Sequence, residues 1–176
     1  MTLTRSAESS RVLLPENIHP DAASRLAKDR YQVETGTRAL DEDELIAALG
    51  GIQVLGIRSG THVTERVLEH APGLVAVGAF CIGTNQIDLA AAARRGIAVF
   101  NAPFSNTRSV VELALAEIIS MARRLPVKNE QMHAGLWDKS AKGAHEVRGR
   151  RLGIIGYGNI GTQLSVLAEN LGMSVY

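Results

Sequence analysis

Residues Arg151-Leu152-Gly153-Ile154-Ile155 run directly into Gly156-Tyr157-Gly158-Asn159-Ile160-Gly161, and the reading of this stretch decides the fold. An apolar run entering three glycines at this spacing matches the strand-to-helix turn of a dinucleotide-binding unit. The first glycine permits the tight turn, the second lets backbone N–H groups approach a pyrophosphate, and the third lets helix and strand pack closely. Gly156, Gly158 and Gly161 take those roles. The spacing alone is a weak signal, and the flanks strengthen it. Residues 151–155 read as a buried parallel strand. Residues 162–171 carry Leu164, Leu167, Ala168 and Leu171 at helical spacing, with Gly172 as the stop. A glycine turn that holds no ligand is the competing reading. The acidic residue that grips the ribose is expected about twenty positions beyond the turn. The sequence reaches only Met173-Ser174-Val175-Tyr176 of the following strand, so the unit is expected to be incomplete within these residues.

Upstream, short apolar runs alternate with amphipathic stretches, the pattern of helices on both faces of a parallel sheet. Strands are expected at 12–14, 31–34, 54–57, 74–77 and 97–100. Helices are expected at 21–28, at 41–49 with an acidic first turn, at 64–70 capped by Thr64, and at 88–95 capped by Asp88 and ended by Gly96. Residues 106–125 differ. Val110, Leu113, Ala114, Leu115, Ile118, Met121, Ala122 and Leu125 make this helix nearly apolar all round, so it is expected to be buried on more than one side. Ser109-Val110-Val111-Glu112 reads as its capping box, and Arg123, Arg124 and Pro126 mark its end. A further helix is expected at 127–136. The domain boundary falls near Ser105, giving a tail at 1–10, one domain at 11–105 and the start of another at 106–176.

Composition excludes several classes of function. The net charge is +1, with Lys and Arg spread along the chain, so there is no electrostatic footprint for nucleic acid or a membrane surface. The cluster Arg148-Gly149-Arg150-Arg151 reads as a solvated lead-in to a strand. A single cysteine, Cys81, forbids an internal disulfide and a cysteine zinc cage, which fits a cytoplasmic setting. The first ten residues are polar, read as a loose tail, and no stretch is apolar and long enough to cross a bilayer. His19, His62, His70, His133 and His145 show no metal-ligand spacing and read as structural or surface groups.

Ligands of open α/β sheets collect at the carboxyl ends of strands, so the loops after the third, fourth and fifth strands are the candidates. Arg58-Ser59-Gly60-Thr61 offers a guanidinium fork for a carboxylate or phosphate, plus two hydroxyls, although an arginine there can also be merely solvated. Residues 78–85 are small and glycine-bounded, do not read as a strand, and can present N–H groups to an anion. Within them Cys81 reads as a small apolar residue with no activating partner. Arg108, at the start of the long helix, opposes the helix dipole and calls for a negative ligand or an acidic neighbour. Asn106 and Thr107 are either ligand contacts or plain caps.

Together these segments resemble the serine-biosynthesis branch of the D-isomer-specific 2-hydroxyacid dehydrogenase family. The matching stretches are Gly56-Ile57-Arg58-Ser59, Phe80-Cys81-Ile82-Gly83-Thr84-Asn85-Gln86-Ile87-Asp88, Val99-Phe100-Asn101-Ala102-Pro103-Phe104-Ser105-Asn106-Thr107-Arg108-Ser109, and residues 152–161. The resemblance implies an α/β chain with a flavodoxin-like parallel-sheet substrate domain at 11–105, followed by the truncated start of a Rossmann NAD-binding domain. It implies hydride transfer to NAD from a small anionic 2-hydroxy acid, D-3-phosphoglycerate for this branch, in a cytoplasmic homo-oligomer. The residues it places at substrate are Arg58, Ser59, Cys81, Ile82, Asn106 and Arg108, and those at NAD are Gly156, Gly158, Asn159, Ile160 and Gly161. The family's catalytic arginine, glutamate and histidine match nothing before Tyr176, so the 176 residues are expected to be inactive alone. A second reading is a non-catalytic NADH-sensing or subunit-association module.

Overall fold

The computed structural model describes residues 10–176, so the tail expected at 1–10 lies almost wholly outside the described residues. The described residues divide into two compact units, the first ending at Ser105 and the second spanning Asn106–Tyr176.

The first unit is a five-stranded, all-parallel sheet. Its strands are β1 (Arg11–Leu14), β2 (Gln32–Thr35), β3 (Val54–Ile57), β4 (Ala76–Ala79) and β5 (Ala98–Asn101), in the order β2-β1-β3-β4-β5. Four helices connect them: α1 (Pro20–Lys28), α2 (Glu42–Ala48), α3 (Glu65–Glu69) and α4 (Leu89–Arg94). This is the flavodoxin-like order, in which the sheet grows one way from β1 to β2 and the other way from β3 onward. Parallel strands need crossover helices, and covering both faces leaves the inner strands apolar throughout. Val12, Leu55, Ile57 and Val77 are wholly buried, whereas the edge strands β2 and β5 hold no buried residue. Leu45 and Leu49 of the α2 region and Val67 of α3 complete the core. Burial of each such side chain contributes about 1.5–3 kcal/mol.

Capping follows the sequence closely. Asp41 and Glu44 form a reciprocal capping box on α2, Thr64 accepts from the N–H of Val67, and Asp88 accepts from the N–H of Ala91 at 2.8 Å. Three strands sit later than their apolar runs suggest, with β2 spanning Gln32–Thr35 in place of 31–34. β4 spans Ala76–Ala79 in place of 74–77, and β5 spans Ala98–Asn101 in place of 97–100. The register decides this, since Gly56 pairs with Gly78 and Ile57 with Ala79. Gly78 and Ala79 are therefore strand residues, and the stretch 78–85 is not a loop throughout.

The second unit contains α5 (Thr107–Ala122), α6 (Leu125–His133), β6 (Arg151–Leu152), α7 (Asn159–Asn170) and β7 (Ser174–Val175), with β6 and β7 parallel. Several expectations need correction here. The helix expected at 127–136 spans Leu125–His133, entered through Arg124 in the left-handed region at φ 56°. The long helix starts at Thr107, so Ser109 lies within its first turn and forms no capping box; Asn106 is the cap and makes no side-chain bond there. Burial of that helix on several sides is also not found: α7 packs against it, Thr107 and Val111 are buried, and Leu113 and Met121 stay exposed. The strand expected at 151–155 is short, although Tyr176 N–H donates to Leu152 O and Ile154 N–H donates to Tyr176 O. Ile155 beyond it is fully exposed.

Two outcomes are expected from this packing. A Cβ on Gly56 would lie 2.4 Å from Leu14 Cδ2 and 2.9 Å from Phe80 Cε2. Gly56→Ala should then lose about 1–3 kcal/mol by overpacking, read as a lower urea midpoint; an unchanged midpoint would contradict the packing. Bonding to Arg38 and to the Asp41 N–H holds the Glu44 carboxyl at about 2, against an ordinary value of 4.5. Its contribution to stability is thus complete above 4.5 and is lost as the pH falls towards 2. Thermal melts across that window should fall less steeply for Glu44→Gln than for the wild type.

Candidate active site

The reversal of strand order between β1 and β3 leaves a crevice at their carboxyl ends, and that is where the chemistry-bearing loops of the first unit meet. A cavity of about 430 Å³ lies there, lined by Asn17, Ile18, His19, Pro20, Arg58 and Phe80. Arg58 is the first residue beyond β3 and is exposed, and its guanidinium makes no ion pair among the described residues. Ser59 follows it, also exposed. His19 caps α1, with Nδ1 accepting from the Asp21 N–H at 3.3 Å, so its structural role is met while it also lines the cavity.

The loop that carries Arg58 is held from below by a carboxylate. Glu16 Oε1 accepts from the N–H groups of Arg58 at 3.1 Å and Thr61 at 2.8 Å, and Oε2 accepts from the Gly60 N–H at 2.9 Å. Burial tends to raise the pKa of this carboxyl. The Thr61 hydroxyl and the three amides outweigh burial and hold it below its ordinary value. From the other side, buried Gln86 donates from Nε2 to Arg58 O at 3.0 Å and to Cys81 Sγ at 3.2 Å. One amide side chain thus ties the loop after β3 to the loop after β4. The second loop is anchored again where Asn101 Nδ2 donates to Ile82 O at 2.7 Å and Ala102 N–H donates to Cys81 O at 3.0 Å.

Arg58, Ser59, Cys81 and Ile82 therefore belong to one loop cluster of the first unit. Glu16 and Gln86 were missed by the reading that looked only after strands three to five. The switch-point rule applied to the loop after β1 points to Glu16, and a glutamine directly before an apolar Ile87 is the only signal for Gln86.

In the second unit, Asn106 and Arg108 start α5. Arg108 Nε donates to Glu112 Oε1 at 2.6 Å, so the acidic neighbour asked for by the helix dipole is Glu112, which is the actual role of that residue. Thr107 Oγ1 is buried without a hydrogen-bond partner. At the glycine turn the three glycines meet three different constraints. Gly156 has φ +97°, a conformation that disfavours any side chain. A Cβ on Gly161 would lie 2.3 Å from Gly156 O, so helix and turn touch there. Around Gly158 nothing lies within 4 Å of where a Cβ would be. The first internal bond of α7 runs from Thr162 N–H to Gly158 O, which leaves the N–H groups of Asn159, Ile160 and Gly161 without helical acceptors. Open space beside a row of free donors at a helix N-terminus fits the pyrophosphate of a dinucleotide.

Comparison with known proteins identifies the family and the fold. Residues 12–170 match the family model described as D-isomer specific 2-hydroxyacid dehydrogenase, catalytic domain. The chain is 53% identical to D-3-phosphoglycerate dehydrogenase of Haemophilus influenzae, over all of this chain and 44% of that protein. Among solved structures, the TT0316 protein of Thermus thermophilus superposes with a TM-score of 0.86 at 29% identity, covering 94% of this chain and 54% of that one. D-Lactate dehydrogenase from Aquifex aeolicus, solved with NAD and lactic acid, has the same fold, with a TM-score of 0.81 at 23% identity over 93% of this chain and 50% of that one. The chain spans less than half the length of the curated relatives it matches. It belongs to the D-isomer-specific 2-hydroxyacid dehydrogenase family, whose members are oxidoreductases.

Proposed function

We propose that this chain is the amino-terminal part of an NAD-dependent D-3-phosphoglycerate dehydrogenase, with residues 11–105 recognising substrate and residues 106–176 beginning the NAD-binding domain. The observation that carries the reading is the uncommitted guanidinium of Arg58 at the switch-point cavity, in a chain 53% identical to a relative of that name. Arg58 supplies a planar donor fork for an anionic end of the substrate, and Ser59 adds a hydroxyl beside it. Cys81 and Ile82 shape the neighbouring loop, Asn106 and Arg108 face substrate or nicotinamide, and Gly156, Gly158, Asn159, Ile160 and Gly161 cradle the pyrophosphate. NAD, when bound, accepts the hydride from the substrate's hydroxyl-bearing carbon.

The two-stranded β6–β7 sheet with its exposed Ile155 leaves the NAD-binding domain unfinished within these residues, which supports a site completed by further chain. The complete protein is a cytoplasmic enzyme of serine biosynthesis acting as a homo-oligomer. Exposed Leu125, Met132, Leu136 and Trp137 support the association.

The test is an NADH-formation assay with D-3-phosphoglycerate and NAD. The native protein retrieved from its source cell with an antibody against residues 11–105 should be active and have a mass above 18.8 kDa. The 176-residue chain alone should show no turnover, and NADH formation by it would overturn the reading. In the native protein, Arg58→Ala should lower kcat/KM by about a hundredfold, the scale of one charge-assisted pair.

A further inference from the structure

The geometry points to Glu16 as a positioning residue of the substrate site: its carboxylate takes up the amides on both sides of Ser59 and so presents the Arg58 guanidinium to an anionic ligand while leaving that guanidinium unneutralised. The inference rests on the reading of Arg58 as the substrate's anion contact.

Three observations carry it. First, Glu16 and Asn17 are consecutive residues in the left-handed region, at φ 65° and 51°. A non-glycine residue there costs about 1 kcal/mol or more and persists only where its surroundings demand it. Glu16 N–H donates to Arg38 O at 3.0 Å and Asn17 N–H donates to Gly36 O at 2.9 Å, so the strained turn is clamped in place. Second, Glu16 is only 9% exposed, which is unusual for a glutamate, and its partners are three backbone amides and the Thr61 hydroxyl. Gly60 permits the approach, since a Cβ there would lie 3.2 Å from Glu16 Oε2 and 3.0 Å from Ala39 Cβ.

Third, the carboxylate bonds the Arg58 backbone and not its side chain. An acid beside an arginine ordinarily pairs with the guanidinium and cancels its charge. Here the amides of Arg58, Gly60 and Thr61 saturate the carboxylate, and the guanidinium has no ion pair among the described residues. The loop gains the rigidity of an ion-bound turn while the arginine keeps its full charge for a ligand. Fixing the loop before binding removes ordering entropy that the ligand would otherwise have to offset.

Wild type, Glu16→Gln and Glu16→Ala are compared in the native full-length protein, with Glu16→Gln carrying the test if the alanine variant does not fold. Amide hydrogen exchange needs no ligand. The glutamine of the Glu16→Gln variant keeps one acceptor oxygen but turns a donor group towards Gly60, so protection of the Gly60 amide should fall by about tenfold or more. Unchanged exchange at Gly60 overturns the proposal. Binding is followed by the amide resonances of Arg58 and Ser59, with D-3-phosphoglycerate and, separately, inorganic phosphate. Glu16→Gln should raise Kd for either anion about tenfold while its thermal midpoint moves far less than that of Glu16→Ala. Equal Kd values in wild type and Glu16→Gln overturn the proposal, as does an affinity loss that merely tracks global unfolding. Phosphate binding at Arg58 without D-3-phosphoglycerate binding overturns the substrate reading and supports the positioning role; binding of neither anion by the wild type overturns both.

Discussion

Because β1 is hydrogen-bonded to β2 on one side and β3 on the other, its carboxyl end lies next to that of a strand distant in sequence. The site of the first unit depends on this pairing. It brings the turn after β1 under the loop after β3, so that Glu16 reaches the amides of Arg58, Gly60 and Thr61. The pairing of β3 with β4 sets the loop of Cys81 beside that of Arg58, close enough for Gln86 to bond both. Apolar burial along the inner strands holds the register. The register in turn decides which polar groups meet.

Many charges among the described residues pair on the surface. Arg11–Glu34, Arg38–Glu44, Arg66–Glu42 and Arg66–Asp43 are exposed pairs that lie over helix ends and the sheet edge. Exposed pairs of this kind contribute little each, and their effect here is to orient helices and caps. Arg108 joins this group through Glu112. Arg58 stands apart: the well-placed acid beneath its loop is occupied by backbone amides, so its guanidinium keeps its charge at the mouth of a cavity.

The glycine turn depends on backbone geometry instead of charge. Gly156 is there for its φ, Gly161 for contact, and Gly158 for the space around it. At both Gly156 and Gly158 nothing lies within 4 Å of where a Cβ would be. The N–H groups at the start of α7 that lack helical acceptors lie beside the open space at Gly158.

Local patterns determined a good deal. Alternating apolar runs and amphipathic stretches determined the parallel α/β class, and Asp41, Thr64 and Asp88 determined where helices begin, because capping is decided within about four residues. The roles of Gly156 and Gly161 were equally legible, since turn conformation and close packing depend on neighbours in sequence. The residues of the Arg58 and Cys81 loops were legible as candidates from their position at strand ends. What the tertiary structure alone decided were contacts between residues far apart in the chain. Register moved β4 and β5 towards their carboxyl ends. The start of α5 at Thr107 turned Ser109 and Glu112 from a cap into an interior residue and an ion-pair partner. Glu16 and Gln86 have no sequence motif because their meaning lies in groups 42 to 45 and 28 residues away, and only the pairing of strands brings those groups within reach.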